Sequence, residues 1–141
     1  MLNIKFYYDN VKYRIRGVKE ITRLLEKVIR KEKRLSGDLN FIITTDKSLQ
    51  KINKEFLNHD SFTDVISFNY ESGTMLNGEV YISLATVRKN SYNYKVSLRN
   101  ELVRIIIHGT LHICGYEDKT KREKLRMKKR EDFWINKLKR E

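Results

Sequence analysis

Residues 101–120, the most informative segment of the sequence, read ELVRIIIHGTLHICGYEDKT. Its first part is apolar nearly all round, which is typical of a helix buried on every side. His108 and His112 lie four residues apart in it, so their imidazoles share one face about one turn apart. Gly115 is placed to end the helix in a left-handed turn. The stretch therefore predicts a buried central helix with polar groups near its C-terminal end.

Two imidazoles at this spacing can bind one metal ion, and after the turn either Asp118 or Glu117 could return a carboxylate toward them. Two histidines and one carboxylate leave a coordination position for water, which is typical of catalytic rather than structural zinc sites. Such a set favours zinc and is also compatible with iron or nickel. Histidines on an apolar helix are also common as ordinary core residues, so the spacing alone leaves both interpretations open.

The same helix differs from that of the zinc peptidases in one position. Their helix reads HExxH, and the glutamate after the first histidine is the general base. Here that position is Gly109. The ligand spacing of a metallopeptidase is present without its base, so a peptidase is the weaker alternative.

In the rest of the sequence, β-branched and aromatic residues predict four strands, at residues 2–8, 39–45, 63–70 and 78–83. Apolar residues at helical spacing predict helices between and after these strands. The helices are expected at about residues 18–35, 47–56, 84–95, 97–114 and 121–139. The order predicts the α+β class, with residues 1–141 as a single domain in which a small mixed four-stranded sheet packs with about five helices.

Local signals predict where several of these elements begin and end. Ser36 and Gly37 are expected to end the first helix, and Asp46 to cap the second. Residues 71–78, ESGTMLNG, have the polar, glycine-bearing character of a connecting loop. Cys114, the single cysteine, is expected to fill space in the core.

The composition favours a folded protein that binds a polyanion. Thirty Lys and Arg against 18 Asp and Glu give a formal net charge of +12, which attracts a nucleic-acid backbone or an anionic membrane surface. No apolar stretch is long enough for a membrane span. The N-terminus looks like a first strand rather than a signal peptide, and one cysteine suits a reducing compartment. We therefore expect a cytoplasmic protein without a membrane partner.

Three blocks of the sequence resemble the YbeY family of metal-dependent endoribonucleases. The family motif H-G-x-L-H-x-x-G-Y-D-H appears as HGTLHICGYED at residues 108–118. The family block T-D-V-L-S-F appears as TDVISF at 63–68, and Gly78 and Glu79 match a weaker third block. The resemblance implies a single-strand-specific endoribonuclease of ribosomal RNA maturation, with RNA precursors and the ribosome as partners and no nucleotide cofactor. It also makes Asp118 the third metal ligand, where the family has a histidine.

The resemblance further implies that Asp64 and Ser67 line the cleft beside the metal as catalytic residues. The alternative is that Asp64, with Thr63, organises the turn into a strand. His59 is interpreted as a residue of a solvent-facing turn. Leu57 stands where the family usually carries a basic residue that would suit clamping a phosphate.

Two alternatives to a nuclease stay open, the metallopeptidase above and a non-catalytic, RNA-binding ribosome assembly factor whose metal is structural. The Leu57 departure motivates the second. The C-terminal helix fits either RNA-related function, because it combines an apolar stripe that includes Met127 and Trp134 with a strongly basic face.

Overall fold

A computed structural model describes residues 3–57, 65–70 and 74–140. Its helices and strands follow the predicted order, and the α+β class with a mixed four-stranded sheet is confirmed. The elements are β1 (Ile4–Tyr8), α1 (Val18–Lys31), β2 (Leu35–Thr44), α2 (Asp46–Leu57), β3 (Val65–Asn69), β4 (Met75–Ser83), α3 (Leu84–Tyr94), α4 (Leu98–Ile113) and α5 (Lys121–Arg140).

The strands are arranged in the order β1-β2-β4-β3. β1, β2 and β4 are parallel, while β3 runs antiparallel to β4 along one edge. The register pairs Leu39 of β2 with Ile4 on one side and Gly78 on the other. A parallel pair needs a crossover, and α1 provides it between β1 and β2.

Two predicted strand boundaries were wrong, at β2 and β4. Ser36 and Gly37 do not end α1, which already ends at Lys31, but lie inside β2, where Ser36 pairs with Leu76. β4 begins at Met75, inside the segment expected to be a loop, because Leu76 is fully buried. The pairing is irregular between Ser36 and Leu39, so the polar residues there mark a bulge in a continuous strand rather than its end.

The expected cap of α2 was also wrong. The Ser48 amide donates to the hydroxyl of Thr45, 3.2 Å away, so Thr45 is the capping residue. Asp46 is the first residue of the helix, and its carboxylate instead accepts hydrogen bonds from the hydroxyls of Ser83 and Thr86. This contact ties the start of α2 to the start of α3.

The predicted central helix is α4, which packs on β3 and β4 and is flanked by α1, α3 and α5. Among its residues Leu102, Ile106 and Leu111 are completely buried. Cys114, just after it, is half-buried against the core, as expected. None of the helices in the described part of the chain is both long and apolar enough to cross a membrane.

Candidate metal centre

The candidate centre lies on the last turns of α4, which two glycines bring close to the sheet. A Cβ built on Gly109 would lie 2.7 Å from Cγ1 of Val80, and one on Gly78 would lie 2.8 Å from Cδ1 of Ile113. Only glycine, which has no Cβ, allows the helix and the strand to approach this closely. The glycine face of α4 therefore contacts β4 directly, and His108 and His112 lie on a part of the helix that solvent reaches.

The turn after α4 has the form that Gly115 predicted. Gly115 has a φ of +112°, its amide donates to the carbonyl of His112, and the Tyr116 amide donates to the carbonyl of Leu111, both at 3.0 Å. These two bonds form a Schellman turn, which satisfies carbonyls that the helix end leaves without partners. The turn reverses the chain and returns the following residues toward the histidines.

Asp118 is the residue that returns. Its Oδ2 lies 3.3 Å from Nε2 of His108 and 3.3 Å from Nε2 of His112, and the candidate ligand atoms all lie within 4.8 Å of one another. A tetrahedral ion with bonds of about 2.0–2.1 Å places its ligand atoms about 3.3 Å apart, and the two distances from Asp118 match this value. Glu117 is exposed and does not belong to this group.

Both imidazoles are oriented through their other ring nitrogen. Nδ1 of His112 lies 2.8 Å from the carbonyl oxygen of Tyr116. Because a carbonyl can only accept, Nδ1 carries the proton in this contact, and Nε2 is the nitrogen that faces Asp118. Nδ1 of His108 lies 2.6 Å from a carboxylate oxygen of Glu131 on α5. Each Nε2 is thereby presented on the side where a metal would bind.

Glu131 was missed by the sequence analysis. It is almost completely buried, with 3% of its side chain exposed, although the helix around it is strongly charged. Its position offered one signal, because it lies on the stripe of α5 that also carries buried Met127, Trp134 and Leu138. A carboxylate on the apolar stripe of a helix needs a partner within the core.

Arg104 holds Glu131 from the opposite side and joins it to a second buried carboxylate. One guanidinium nitrogen lies 2.8 Å from Oε1 of Glu131, and the other two donate to Glu101. Burial lowers the pKa of Arg104. The hydrogen bonds and charges of the two carboxylates raise it by a larger amount, so the net pKa lies above the ordinary value. Arg104 therefore stays cationic in a place that is largely shielded from water.

Of the other predicted site residues, the structure describes the side chain of Ser67. The hydroxyl of Ser67 on β3 lies 3.5 Å from the position a Cβ on Gly109 would take, which is the sheet side of α4. Asp64 and His59 lie outside the described residues, and of Leu57 only the backbone, at the end of α2, is described. Burial, together with the charge of Glu32, raises the pKa of the Cys114 thiol to about 12, so this thiol is neutral near pH 7.

The surface next to the candidate centre includes α5, whose apolar stripe packs on the core. The helix turns a basic face outward, where these side chains are exposed: Lys121, Arg122, Lys124, Arg126, Lys128 and Lys129. A groove of about 640 Å³ lies beside His108 and Asp118, and Lys124 and Lys128 contribute to its wall. A polyanion could therefore contact cations beside the histidines.

Comparisons with known proteins agree with one another. The family model described as Endoribonuclease YbeY matches residues 4–139. A protein of that name from Flavobacterium psychrophilum is 41% identical over 129 residues, covering 92% of this chain and 91% of the relative. One from Christiangramia forsetii is 39% identical, covering 92% and 90%. A solution structure of a Thermotoga maritima protein superposes with a TM-score of 0.64 at 26% identity, covering 96% of this chain and 88% of the other.

Proposed function

Because the chain belongs to the YbeY family, we propose that it is a metal-dependent endoribonuclease with His108, His112 and Asp118 as its metal ligands. The observation that carries the proposal is the convergence of these three side chains, with Oδ2 of Asp118 at 3.3 Å from Nε2 of each histidine. Three protein ligands leave a fourth position open, as catalytic zinc sites do. One zinc ion is the proposed metal, and nickel or iron are the alternatives that this ligand set allows. The proposal treats residues 1–141 as one catalytic domain.

The proposed substrate is single-stranded RNA, in particular ribosomal RNA precursors, and the proposed setting is the cytoplasm with the ribosome as partner. The relatives' name gives the class of reaction, and the net charge of +12 supports a polyanionic substrate. The exposed cations of α5, with Lys124 and Lys128 next to the groove, would contact the phosphates on either side of the cleaved bond. The proposal includes no nucleotide cofactor and no membrane.

The roles of the chain's own residues follow from their positions. The two histidines and Asp118 hold the metal, and the contacts of both Nδ1 atoms fix the orientation of the rings. When bound, a zinc ion supplies Lewis acidity that activates water and polarises a phosphoryl oxygen. Asp64 and Ser67 are proposed as catalytic residues that bind the substrate or move a proton. The competing role for Ser67 is packing, because its hydroxyl lies next to Gly109.

A second candidate function is a non-catalytic RNA-binding factor of ribosome assembly. It is favoured by Leu57, which stands where the family resemblance leads us to expect a basic residue. A phosphate clamp supplied by arginine stabilises charge that develops in the transition state, so its loss would weaken catalysis more than binding. In this alternative the metal only stabilises the fold.

The test is cleavage of a labelled single-stranded RNA by the wild-type protein and by His112→Ala, purified side by side, with the metal content of both measured. We expect the wild type to cleave, and His112→Ala to contain less metal and to lose cleavage. Equal cleavage by both proteins would identify a contaminating nuclease. Activity that persists after the metal is removed with a chelator would refute the mechanism.

Asp118 and Glu117 provide a matched pair of variants. Asp118→Asn and Glu117→Gln each remove one negative charge, but only Asp118 lies at the histidines. We expect Asp118→Asn to lose metal and activity, and Glu117→Gln to keep both. RNA binding without cleavage by the wild type and by His112→Ala alike would favour the assembly factor, and Leu57→Arg would then be the first variant to examine for gained activity.

A further inference from the structure

The two histidines of the centre differ in what holds them. His112 is held by a backbone carbonyl four residues further along the same segment. His108 is held by the carboxylate of Glu131, which belongs to another helix and lies 23 residues away in the chain. The first contact forms whenever the turn after α4 forms. The second requires α5 to pack in its correct register on α4.

Both oxygens of Glu131 are in use. Oε2 faces Nδ1 of His108 at 2.6 Å, and Oε1 accepts from Arg104 at 2.8 Å. Arg104 is in turn held by Glu101, which lies two turns before His108 on α4 and is 1% exposed. The guanidinium is rigid and planar, so its bonds to two carboxylates fix the direction in which Glu131 points.

From this arrangement we infer that Glu131 is a positioning residue for the metal centre. It holds the proton of His108 on Nδ1 and keeps Nε2 aimed at Asp118, so it raises the affinity of the site for its metal without touching the metal. The inference deepens the proposed function and depends on its metal site. Hydrogen bonds of this kind to a ligating histidine fix the tautomer and make the ring a stronger donor, and losing one costs about 10–100-fold in metal affinity.

The substitution Glu131→Gln tests this with little change of volume. An amide has one acceptor oxygen, so it can serve either His108 or Arg104 but not both. The matched control is the neighbouring Asp132→Asn, which removes the same charge from a carboxylate that is 53% exposed and pairs only with Lys128 in the contacts described. Zinc affinity is measured by competition with a chromophoric chelator, and circular dichroism of the metal-free proteins shows whether each variant folds.

We expect zinc to bind Glu131→Gln about 10–100-fold more weakly than wild type, and Asp132→Asn to bind as wild type does. Equal affinity in wild type and folded Glu131→Gln would overturn the inference while leaving the nuclease proposal intact. Conversely, a weakened Glu131→Gln together with a wild type that never cleaves RNA would refute the nuclease and keep the inference.

A second measurement uses only the wild-type protein and therefore does not depend on whether a variant folds. Nitrogen-15 NMR of the histidine rings in the zinc-loaded wild-type protein reports which nitrogen carries the proton and which binds the metal. We expect His108 to carry its proton on Nδ1 and to bind through Nε2, with the Nδ1 proton shifted downfield by the carboxylate. A His108 that binds zinc through Nδ1, or a wild type that binds no zinc, would overturn the inference.

Discussion

Gly109→Ala should destabilise the protein, against the usual effect of this change in a helix. In the interior of a helix alanine is about 1 kcal/mol more favourable than glycine. Here the added Cβ would lie 2.7 Å from Cγ1 and 3.2 Å from Cγ2 of Val80. Val80 is fully buried on β4, between β2 and β3, so neither its side chain nor its strand can move away freely.

Overpacking of a core costs about 1–3 kcal/mol, which exceeds the gain in helix propensity. The expected net loss is about 1 kcal/mol of unfolding free energy, or a melting temperature lower by roughly 3 °C for a chain of this size. Urea unfolding of the metal-free wild type and variant measures the loss without any contribution from metal binding.

Val80→Ala provides the internal control, because it removes both carbons that the new Cβ would meet. We expect Val80→Ala alone to be destabilising, and Gly109→Ala in that background to be neutral or stabilising. The double-mutant cycle should therefore give a favourable coupling of about 1–3 kcal/mol. A Gly109→Ala protein as stable as the wild type, or additive effects of the two changes, would refute the packing argument.

Three further predictions concern the turn, the metal and one tyrosine. Gly115→Ala should cost about 1–2 kcal/mol in urea unfolding through backbone strain at φ +112°, since nothing lies within 4 Å of the added Cβ; an unchanged midpoint would contradict this. Zinc at 100 times its Kd should stabilise the wild type by about 2.7 kcal/mol and leave the melting temperature of His112→Ala unchanged, and equal shifts would place the zinc elsewhere. The hydrogen bond that Tyr70 donates to Glu79, with smaller effects of burial and of the charge of Glu79, raises the pKa of Tyr70 to about 12. Tyr70 should therefore favour the fold below pH 10, its contribution being lost as the pH rises through about 12; absorbance titration against Tyr70→Phe measures this pKa, which Glu79→Gln should return toward 10.

The parts of the fold that sequence predicts well are those whose signal is local. The apolar residues of α4, the histidines one turn apart and the glycine after them all lie within one short segment, so their pattern determines both the helix and its end. The boundaries that were wrong depend on distant partners. Ser36 and Gly37 are poor strand residues by themselves, but the pairing of this part of β2 with Met75 and Leu76 of β4 keeps them in the sheet.

The same distinction applies to the centre. A carboxylate from Asp118 or Glu117 could be proposed from sequence because the turn at Gly115 brings the chain back to the helix, and the family resemblance selected Asp118. Glu131 could not, because its contact with His108 depends on how α5 packs against α4. Its place on the apolar stripe of α5 indicates that it is buried, unlike Asp132, but does not identify its partner. The order of the strands and the antiparallel direction of β3 are likewise properties of packing between distant segments.

The group formed by the buried Glu101 and Glu131 and the half-buried Arg104 is better explained by the candidate metal centre than by stability. Removing these charges from water is costly, and buried ion pairs can often be replaced by apolar side chains without loss of stability. Three apolar side chains between α4 and α5 would therefore give a core of comparable stability. It would, however, remove the carboxylate of Glu131 that contacts Nδ1 of His108, and with it this link between α4 and α5. The charged side chains provide what an apolar core cannot, which is a fixed direction for Nε2 of His108.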